Sequence, residues 1–431
     1  MSVVLSLALL AGSVTGLLAA IWAVRRLGQR YRWNAEVSRK AVHIAIGLYA
    51  MALPLLFDRA WPVVLLILIA LGLMLALRTP ASRRHGLGAA IHSVERRSFG
   101  DIWLALAIGF VFLHSGDSYI LYALPIAVIT LSDAAAALTG TSYGRARFAI
   151  EDGVKSWEGV VAMFAVTLIL AMVMLLLLTG IARLNVVALA FAVAAFAATV
   201  EAVSWRGLDN LFVPIGVHLF LLGYLDATPM ALLGLAGAFF AAVLAIVLLT
   251  PRLGLSDHAS RAFVIAVFLF LGTAGFYGTL VPLLVMAAHL VARARAPCRS
   301  AHADLDFIAT LAATGLIWFF IGESVGPSAV TLYNLALAGV LLGYLLLVTR
   351  AWLAVPIAAG VFGLFLLLAH HGPERARWVR ELPLLAAASL LIVAAALLGR
   401  ANWFARWRAP RLAALASIVP LGAYLSQTVI A

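Results

Sequence analysis

Two lysines, Lys40 and Lys155, stand in a chain whose other 28 basic residues are arginines. Lysine presents a compact ammonium suited to one phosphate oxygen at a time, where arginine presents a planar fork. Lys155 closes a stretch that runs Asp133-Ala-Ala-Ala-Ala-Leu-Thr-Gly140-Thr-Ser-Tyr-Gly144-Arg145 and resumes at Lys155-Ser156-Trp157-Glu158-Gly159. Glycines let backbone N–H groups come close to an anion. A helix that starts at 156–159 turns its positive end toward the same place. Asp133 falls inside an apolar run, where a carboxylate is unfavourable and usually functional. An acid, two glycines four apart, a lysine and a glutamate are the arrangement a nucleoside triphosphate with Mg2+ needs. The plain alternative is that Gly140 and Gly144 end a helix and Asp133 pairs with Arg145.

Three further stretches carry ionisable groups. Arg39, Lys40 and His43 begin the second apolar run, with Arg39 and His43 four apart on one helical face. Basic groups there grip phosphates or lipid headgroups, or simply anchor the helix end. Glu95, Arg96 and Arg97 are either contacts for an anion or a solvated charged run, and Ser98, Gly100 and Asp101 fit a helix cap as well as a site. Asp209 with Asn210 forms a carboxylate–carboxamide pair suited to Mg2+ and to ribose or phosphate contacts. The same two residues also suit a turn made by Arg206-Gly207. Glu201, inside its own apolar run, requires a partner or a function.

The elements that position these residues are membrane helices. The chain has 431 residues, 65% hydrophobic and 11% charged, with a mean hydropathy of +1.09. A soluble domain is about 25% charged, so a water-facing globule is excluded. Apolar runs of about 20 residues recur, the length that crosses the hydrocarbon core. They do not alternate as barrel strands must. The expectation is an all-α, polytopic integral membrane protein of about sixteen transmembrane helices. They fall near 2–24, 41–57, 61–77, 101–115, 119–139, 159–180, 185–203, 211–225, 229–250, 259–273, 278–293, 305–321, 328–349, 351–370, 381–398 and 411–429. No basic region precedes the first run, so it reads as a membrane helix rather than a cleaved signal. The net charge of +12 is topological rather than a sign of nucleic acid. With the N-terminus outside, the joints at 25–40, 78–101, 140–158, 206, 252–261, 293–299, 350 and 400–411 hold 25 of the 30 basic residues on the cytoplasmic side. The external joint 370–381, with three arginines, goes against this bias. The sole cysteine, Cys298, excludes an internal disulfide.

The chain divides near residue 229. Residues 1–228 carry the long polar joints, and 229–431 form a second helical domain with short joints and few acids. Within the second domain Asp257–His258, Asp304, Asp306 and Glu323 look isolated, and His289 and His370–His371 lack metal-ligand spacing.

Four motifs in order resemble the dolichol kinase and phytol kinase family, membrane-bound CTP-dependent kinases of lipid alcohols. They are Glu36-Val-Ser-Arg39-Lys40-Ala-Val-His43-Ile-Ala-Ile-Gly47, Glu95-Arg96-Arg97-Ser98-Phe99-Gly100-Asp101, the 133–159 stretch, and Glu201-Ala-Val-Ser-Trp-Arg206-Gly207-Leu208-Asp209-Asn210-Leu-Phe-Val-Pro214. The resemblance covers residues 34–225, and Trp157 stands where a small polar residue is usual. It extends to phosphatidate cytidylyltransferases, which share the acid–glycine–lysine–glutamate stretch and also use CTP.

The resemblance implies phosphoryl transfer from CTP, with Mg2+, to phytol, geranylgeraniol or a polyprenol lying in the bilayer. The chemistry would sit at the cytoplasmic face of the inner cell membrane. Asp133 and Asp209 are then the metal-ligand candidates, and Lys155 and Arg145 hold phosphates with Gly140 and Gly144. Glu158 is a metal ligand or the base for the hydroxyl proton, and Arg39, Lys40, His43, Arg97, Ser98, Asp101 and Asn210 complete the nucleotide site. The alternatives are a cytidylyltransferase acting on a lipid phosphate, and a transporter or flippase. A transporter would place paired charges at mid-membrane in both halves.

Overall fold

A computed structural model describes residues 2–77, 99–150, 153–325, 329–371 and 381–430. It is helical apart from one short hairpin, and the chain folds as two compact units, Met1–Ala238 and Phe239–Ala431. Among the described residues seven helices are long and apolar enough to cross a membrane: Val3–Arg30, Tyr119–Tyr143, Trp157–Leu178, Arg183–Val203, Val330–Val348, Leu382–Arg400 and Arg408–Ser426. That supports an all-α membrane protein; it does not by itself support sixteen spans. Several expected spans form helices of 10–17 apolar residues, such as Gly100–His114 and Asp209–Tyr224, short of the roughly 20 that a crossing takes.

In the first unit the helices are α1 (Val3–Arg30), α2 (Ala35–Met51), the single turn α3 (Leu53–Leu56), α4 (Ala60–Leu77), α5 (Gly100–His114), α6 (Tyr119–Ala127), α7 (Asp133–Tyr143), α8 (Trp157–Leu178), α9 (Arg183–Val203) and α10 (Asp209–Tyr224). Asn34 caps α2, its Oδ1 accepting the Val37 N–H at 2.7 Å. Ser156 caps α8 through the Gly159 N–H at 3.1 Å. Such caps satisfy amides that have no partner within the helix.

The centre of this unit is one interrupted span, α6–π turn–α7, whose best window is 83% buried. α8 by contrast turns most of its apolar surface outward, with Val161, Ile169 and Leu177 exposed, as suits lipid contact. α2 packs on α6 and α7, α8 runs along α9 and α7, and α10 lies on α5 and α6. The central span departs from the α-helix twice, and each departure frees a carbonyl that a histidine takes. Pro125 has no N–H to donate back to the carbonyl four residues earlier, and the Leu121 carbonyl accepts from His218 Nδ1 at 2.9 Å instead. The segment Val128–Ser132 is a π turn. There the Ile129 carbonyl accepts from His43 Nε2 at 2.9 Å.

Between α7 and α8 lie two short antiparallel strands, β1 (Arg147–Ile150) and β2 (Gly153–Ser156), with Arg147 opposite Ser156 and Phe148 opposite Lys155. The sequence pattern predicts a glycine-rich loop here. The Trp157 ring packs on Phe148, centroids 5.0 Å apart, and the Trp157 backbone N–H donates to the Ala146 carbonyl at 2.9 Å. The unusual tryptophan therefore ties the hairpin to the start of α8.

The second unit contains α11 (Pro229–Leu253, which begins in the first unit), α12 (Asp257–Arg295), α13 (Ala303–Val325), α14 (Ala329–Val348), α15 (Ala354–His371), α16 (Leu382–Arg400) and α17 (Arg408–Ile430). Straight, the 39 residues of α12 would reach about 58 Å. Yet Arg293 Nη2 donates to the Gly254 carbonyl, next to the other end, so the chain doubles back within α12. Asp304, isolated in the sequence, accepts from His289 Nε2 at 2.9 Å and lies 3.5 Å from Arg293 Nε. His289 also stacks on Phe307, centroids 4.0 Å apart, and meets the Tyr344 hydroxyl at 3.3 Å. The residues that look like plain joints therefore build a polar cluster inside this unit.

Candidate active site

Three carboxylates from three helices converge. Asp133 opens α7 directly after the π turn, Glu201 sits in the last turn of α9, and Asp209 opens α10. One oxygen from each lies within 4.8 Å of the others. The joint between Glu201 and Asp209 makes this possible. Arg206 and Gly207 both take left-handed backbone, φ 54° and 77°, a conformation natural to glycine and uncommon elsewhere, and the reversal returns Asp209 toward Glu201. The Phe99 N–H donates to the Arg206 carbonyl at 3.4 Å, joining the start of α5, with Asp101 in its first turn, to the same joint.

Both lysines of the chain answer this cluster. Lys40 Nζ donates to Asp133 Oδ2, and the side chains are 3% and 5% exposed. His43 Nε2 lies 3.3 Å from the same carboxylate oxygen. Since Nε2 faces a carbonyl and a carboxylate, both acceptors, it carries the proton. Lys155 Nζ lies 2.8 Å from Glu201 Oε1 and also donates to the Glu201 carbonyl. Burial would draw the Lys155 ammonium down; the Glu201 charge, with Asp209 and Asp133 beyond it, outweighs burial and holds it above its ordinary value.

A metal ion suits what remains. Three carboxylates are a hard oxygen donor set of the kind Mg2+ takes. Glu201 Oε2 and Asn210 Oδ1 are buried acceptors with no hydrogen-bond partner among the described residues, and an unmet buried acceptor is unfavourable unless a cation or its water fills the need.

The other expected site residues take varied places. Arg39 is held by Glu36, Nη2 to Oε1 at 2.6 Å, and its side chain is 49% exposed. Arg145 is exposed at the start of the hairpin. Arg97 and Ser98 lie outside the described residues. Glu158 is tied to the joint before the hairpin: its Oε1 accepts the N–H groups of Arg145 and Ala146, both at 3.0 Å. The glycines serve packing. A Cβ on Gly144 would lie 2.3 Å from the Gly140 carbonyl and 2.8 Å from the Ser156 Cβ, and one on Gly159 would lie 2.9 Å from the Ala136 carbonyl. The Gly144 and Gly159 N–H groups are already engaged, by the Gly140 carbonyl and Ser156 Oγ. Asp133 pairs with Lys40 rather than with Arg145. Gly47 has a similar task, since a Cβ there would sit 2.0 Å from Thr130 Oγ1, so its absence lets α2 reach the π turn.

With this geometry in view, one comparison is decisive. A phytol kinase of Synechocystis sp. (strain ATCC 27184 / PCC 6803 / Kazusa) is 33% identical over 185 residues, which is 42% of this chain and 76% of that protein. The chain belongs to the phytol kinase family. No family model matches the chain, and no solved structure matches it. More than half of the chain lies outside the matched stretch, so family membership speaks for less than the whole molecule.

As a member of the phytol kinase family the chain brings together Lys40, Asp133, Lys155, Glu201 and Asp209 from three of its motifs, and it adds residues that sequence reasoning left without a role. Glu201 is the chief of these. Its signal was a carboxylate inside an apolar run eight residues before Asp209, the span of one helix end, one turn and one helix start. The Ile129 carbonyl left no signal, since a π turn depends on backbone rather than on side-chain type.

Proposed function

We propose that the first unit transfers the γ-phosphoryl group of CTP to the hydroxyl of a long-chain isoprenoid alcohol, phytol, geranylgeraniol or a polyprenol. The observation that carries this reading is the set of three carboxylates within 4.8 Å faced by the only two lysines of the chain, in a member of the phytol kinase family. Phosphoryl transfer is mostly positioning and charge neutralisation, and few other reactions need this concentration of both signs at a membrane surface.

In this reading Asp133, Glu201 and Asp209 hold Mg2+, which supplies positive charge for the triphosphate. Lys155, Arg39 and Arg145 take phosphate oxygens, and Asn210 is placed for the ribose or a phosphate. Lys40 and His43 fix the Asp133 carboxylate. Glu158 shapes the joint before the hairpin. The alcohol keeps its chain in the bilayer against the outward apolar faces and presents its hydroxyl at the cytoplasmic end. Its oxygen bonds to the γ-phosphorus as the bond from that phosphorus to the bridging oxygen breaks. CDP leaves with the electron pair, and the hydroxyl proton passes to water. We place about sixteen spans in the chain with the N-terminus outside, on the arginine bias of the joints.

Label transfer tests this on purified full-length protein in detergent with Mg2+. CTP labelled at the γ-phosphate is offered with isoprenoid alcohols, and CTP labelled at the α-phosphate with lipid phosphates. The expected result is γ-label in the lipid fraction, lowered about 10²–10³-fold by Lys155→Ala. α-Label there instead would move the activity to cytidylyl transfer, and no lipid label with any acceptor would reject both.

A further inference from the structure

We propose that Lys155 is a placeholder cation: it occupies the position of a divalent ion at Glu201, leaves that carboxylate when the ion enters, and so frees its ammonium for an anionic ligand. This rests on the metal-dependent reading above.

Three carboxylates within 4.8 Å repel one another, and buried like charges do not persist without compensation. Lys40 and Lys155 supply it, yet they are not equivalent. Lys40 projects from α2, is 3% exposed, and meets an Asp133 that His43 also holds. It is enclosed. Lys155 projects from a four-residue strand whose neighbour Val154 is exposed, and its own side chain is 18% exposed. Its ammonium is anchored at a single residue, through the carboxylate and the carbonyl of Glu201. On the far side of that carboxylate, Oε2 is buried with no partner among the described residues, so an ion has an oxygen waiting before the lysine moves. Release is then reciprocal: an anion that draws Lys155 away favours the ion, and the ion favours the anion.

Because the chain has only two lysines, their reactivity can be followed separately. Full-length protein in detergent is treated briefly with an amine-reactive ester, with and without Mn2+. The two lysine peptides and the N-terminal amine are quantified by mass spectrometry, and bound Mn2+ is measured by the loss of its free electron paramagnetic resonance signal. Glu201→Gln gives the rate for a Lys155 that has lost its ion pair. The expected result is that bound Mn2+ raises Lys155 labelling about fivefold or more toward the Glu201→Gln rate, with Lys40 unmoved. Inorganic pyrophosphate added under excess Mn2+ should then suppress it. Bound Mn2+ with unchanged or slower Lys155 labelling would overturn the exchange while leaving the metal site standing. A wild-type rate equal to that of Glu201→Gln before Mn2+ is added would also overturn it. Failure of Mn2+ to bind, with or without pyrophosphate, would reject the metal reading beneath it.

Discussion

Asp133 and Lys40 enclose each other, with the His43 ring as the other group at the carboxylate. Removing one partner of a buried pair strands the other, which is destabilising by about 3–5 kcal/mol, whereas removing both charges together is often neutral. Asp133→Asn is therefore expected to lower the stability of the detergent-solubilised protein by that amount, read by thermal unfolding. Adding Lys40→Met should restore most of the loss without restoring label transfer. A double variant as unstable as the single one would mean that the pair does not dominate this region. The logic differs at Glu158, whose carboxylate accepts two backbone N–H groups rather than facing a cation. Glu158→Ala removes the oxygen that both N–H groups share. The expectation is a raised KM for the nucleotide with kcat little changed, because the joint that bears Arg145 loses its fixed form. A collapse of kcat at unaltered KM would instead return Glu158 to the reacting atoms.

At the scale of elements, the joints carry the chemistry and the helices supply the distances. What was legible in the sequence follows from this. Charged residues inside an apolar run or on the joint beside one were visible as exceptions, which is why Asp133, Lys155 and Asp209 stood out. The hairpin was not visible, since two strands of four residues are shorter than any alternation that can be counted. Gly144 and Gly159 were visible as glycines but not as packing positions, because the atoms they make room for, the Gly140 carbonyl, the Ser156 side chain and the Ala136 carbonyl, are set by how α7 meets α8. His289 and Asp304, fifteen residues apart on different helices, carried no spacing that linked them. Another joint, before α13, gives a pH prediction. Burial would raise the Cys298 thiol; hydrogen bonds from Ser300 and the neighbourhood of Arg408 outweigh burial and bring it below its ordinary value. Its thiolate therefore forms at lower pH than that of a free cysteine. The alkylation rate of this sole cysteine should level off at correspondingly lower pH, and Ser300→Ala should move the profile back up. A profile matching a free thiol would contradict this local account.

At the scale of the whole molecule, what sets the orientation is the side of the membrane that each joint faces. In the second unit the joint after α12 lies against the joint before α17. The Arg299 N–H donates to the Ala405 carbonyl at 2.8 Å, the Trp407 N–H to Ser300 Oγ at 3.0 Å, and Arg408 Nη1 to the Ala296 carbonyl at 2.7 Å. Arg293, Arg295, Arg299, Arg400, Arg406, Arg408 and Arg411 gather on these two joints and their flanking helix ends, a gathering that the proposed orientation puts on the cytoplasmic side. Cys298 lies among them. A membrane-impermeant maleimide should thus label it in inside-out vesicles and not in intact cells. Labelling from outside would reverse the orientation of this unit and, with it, the arginine count on which the N-terminal placement rests.

The π turn at Val128–Ser132 has a consequence for helical phase. Each α-helical residue advances the direction of its side chain by about 100°. The phase of α6 is set by its packing on α2 and α10, and that of α7 by the glycine contacts with α8. A continuous α-helix offers no freedom to satisfy both. One extra residue in a wide turn supplies the missing rotation, as a shim corrects two parts cut to different marks. Were the same residues wound as an unbroken α-helix, the span would be just as apolar, yet Asp133 would swing about a quarter-turn or more away from Lys40 and the three-carboxylate cluster would break up.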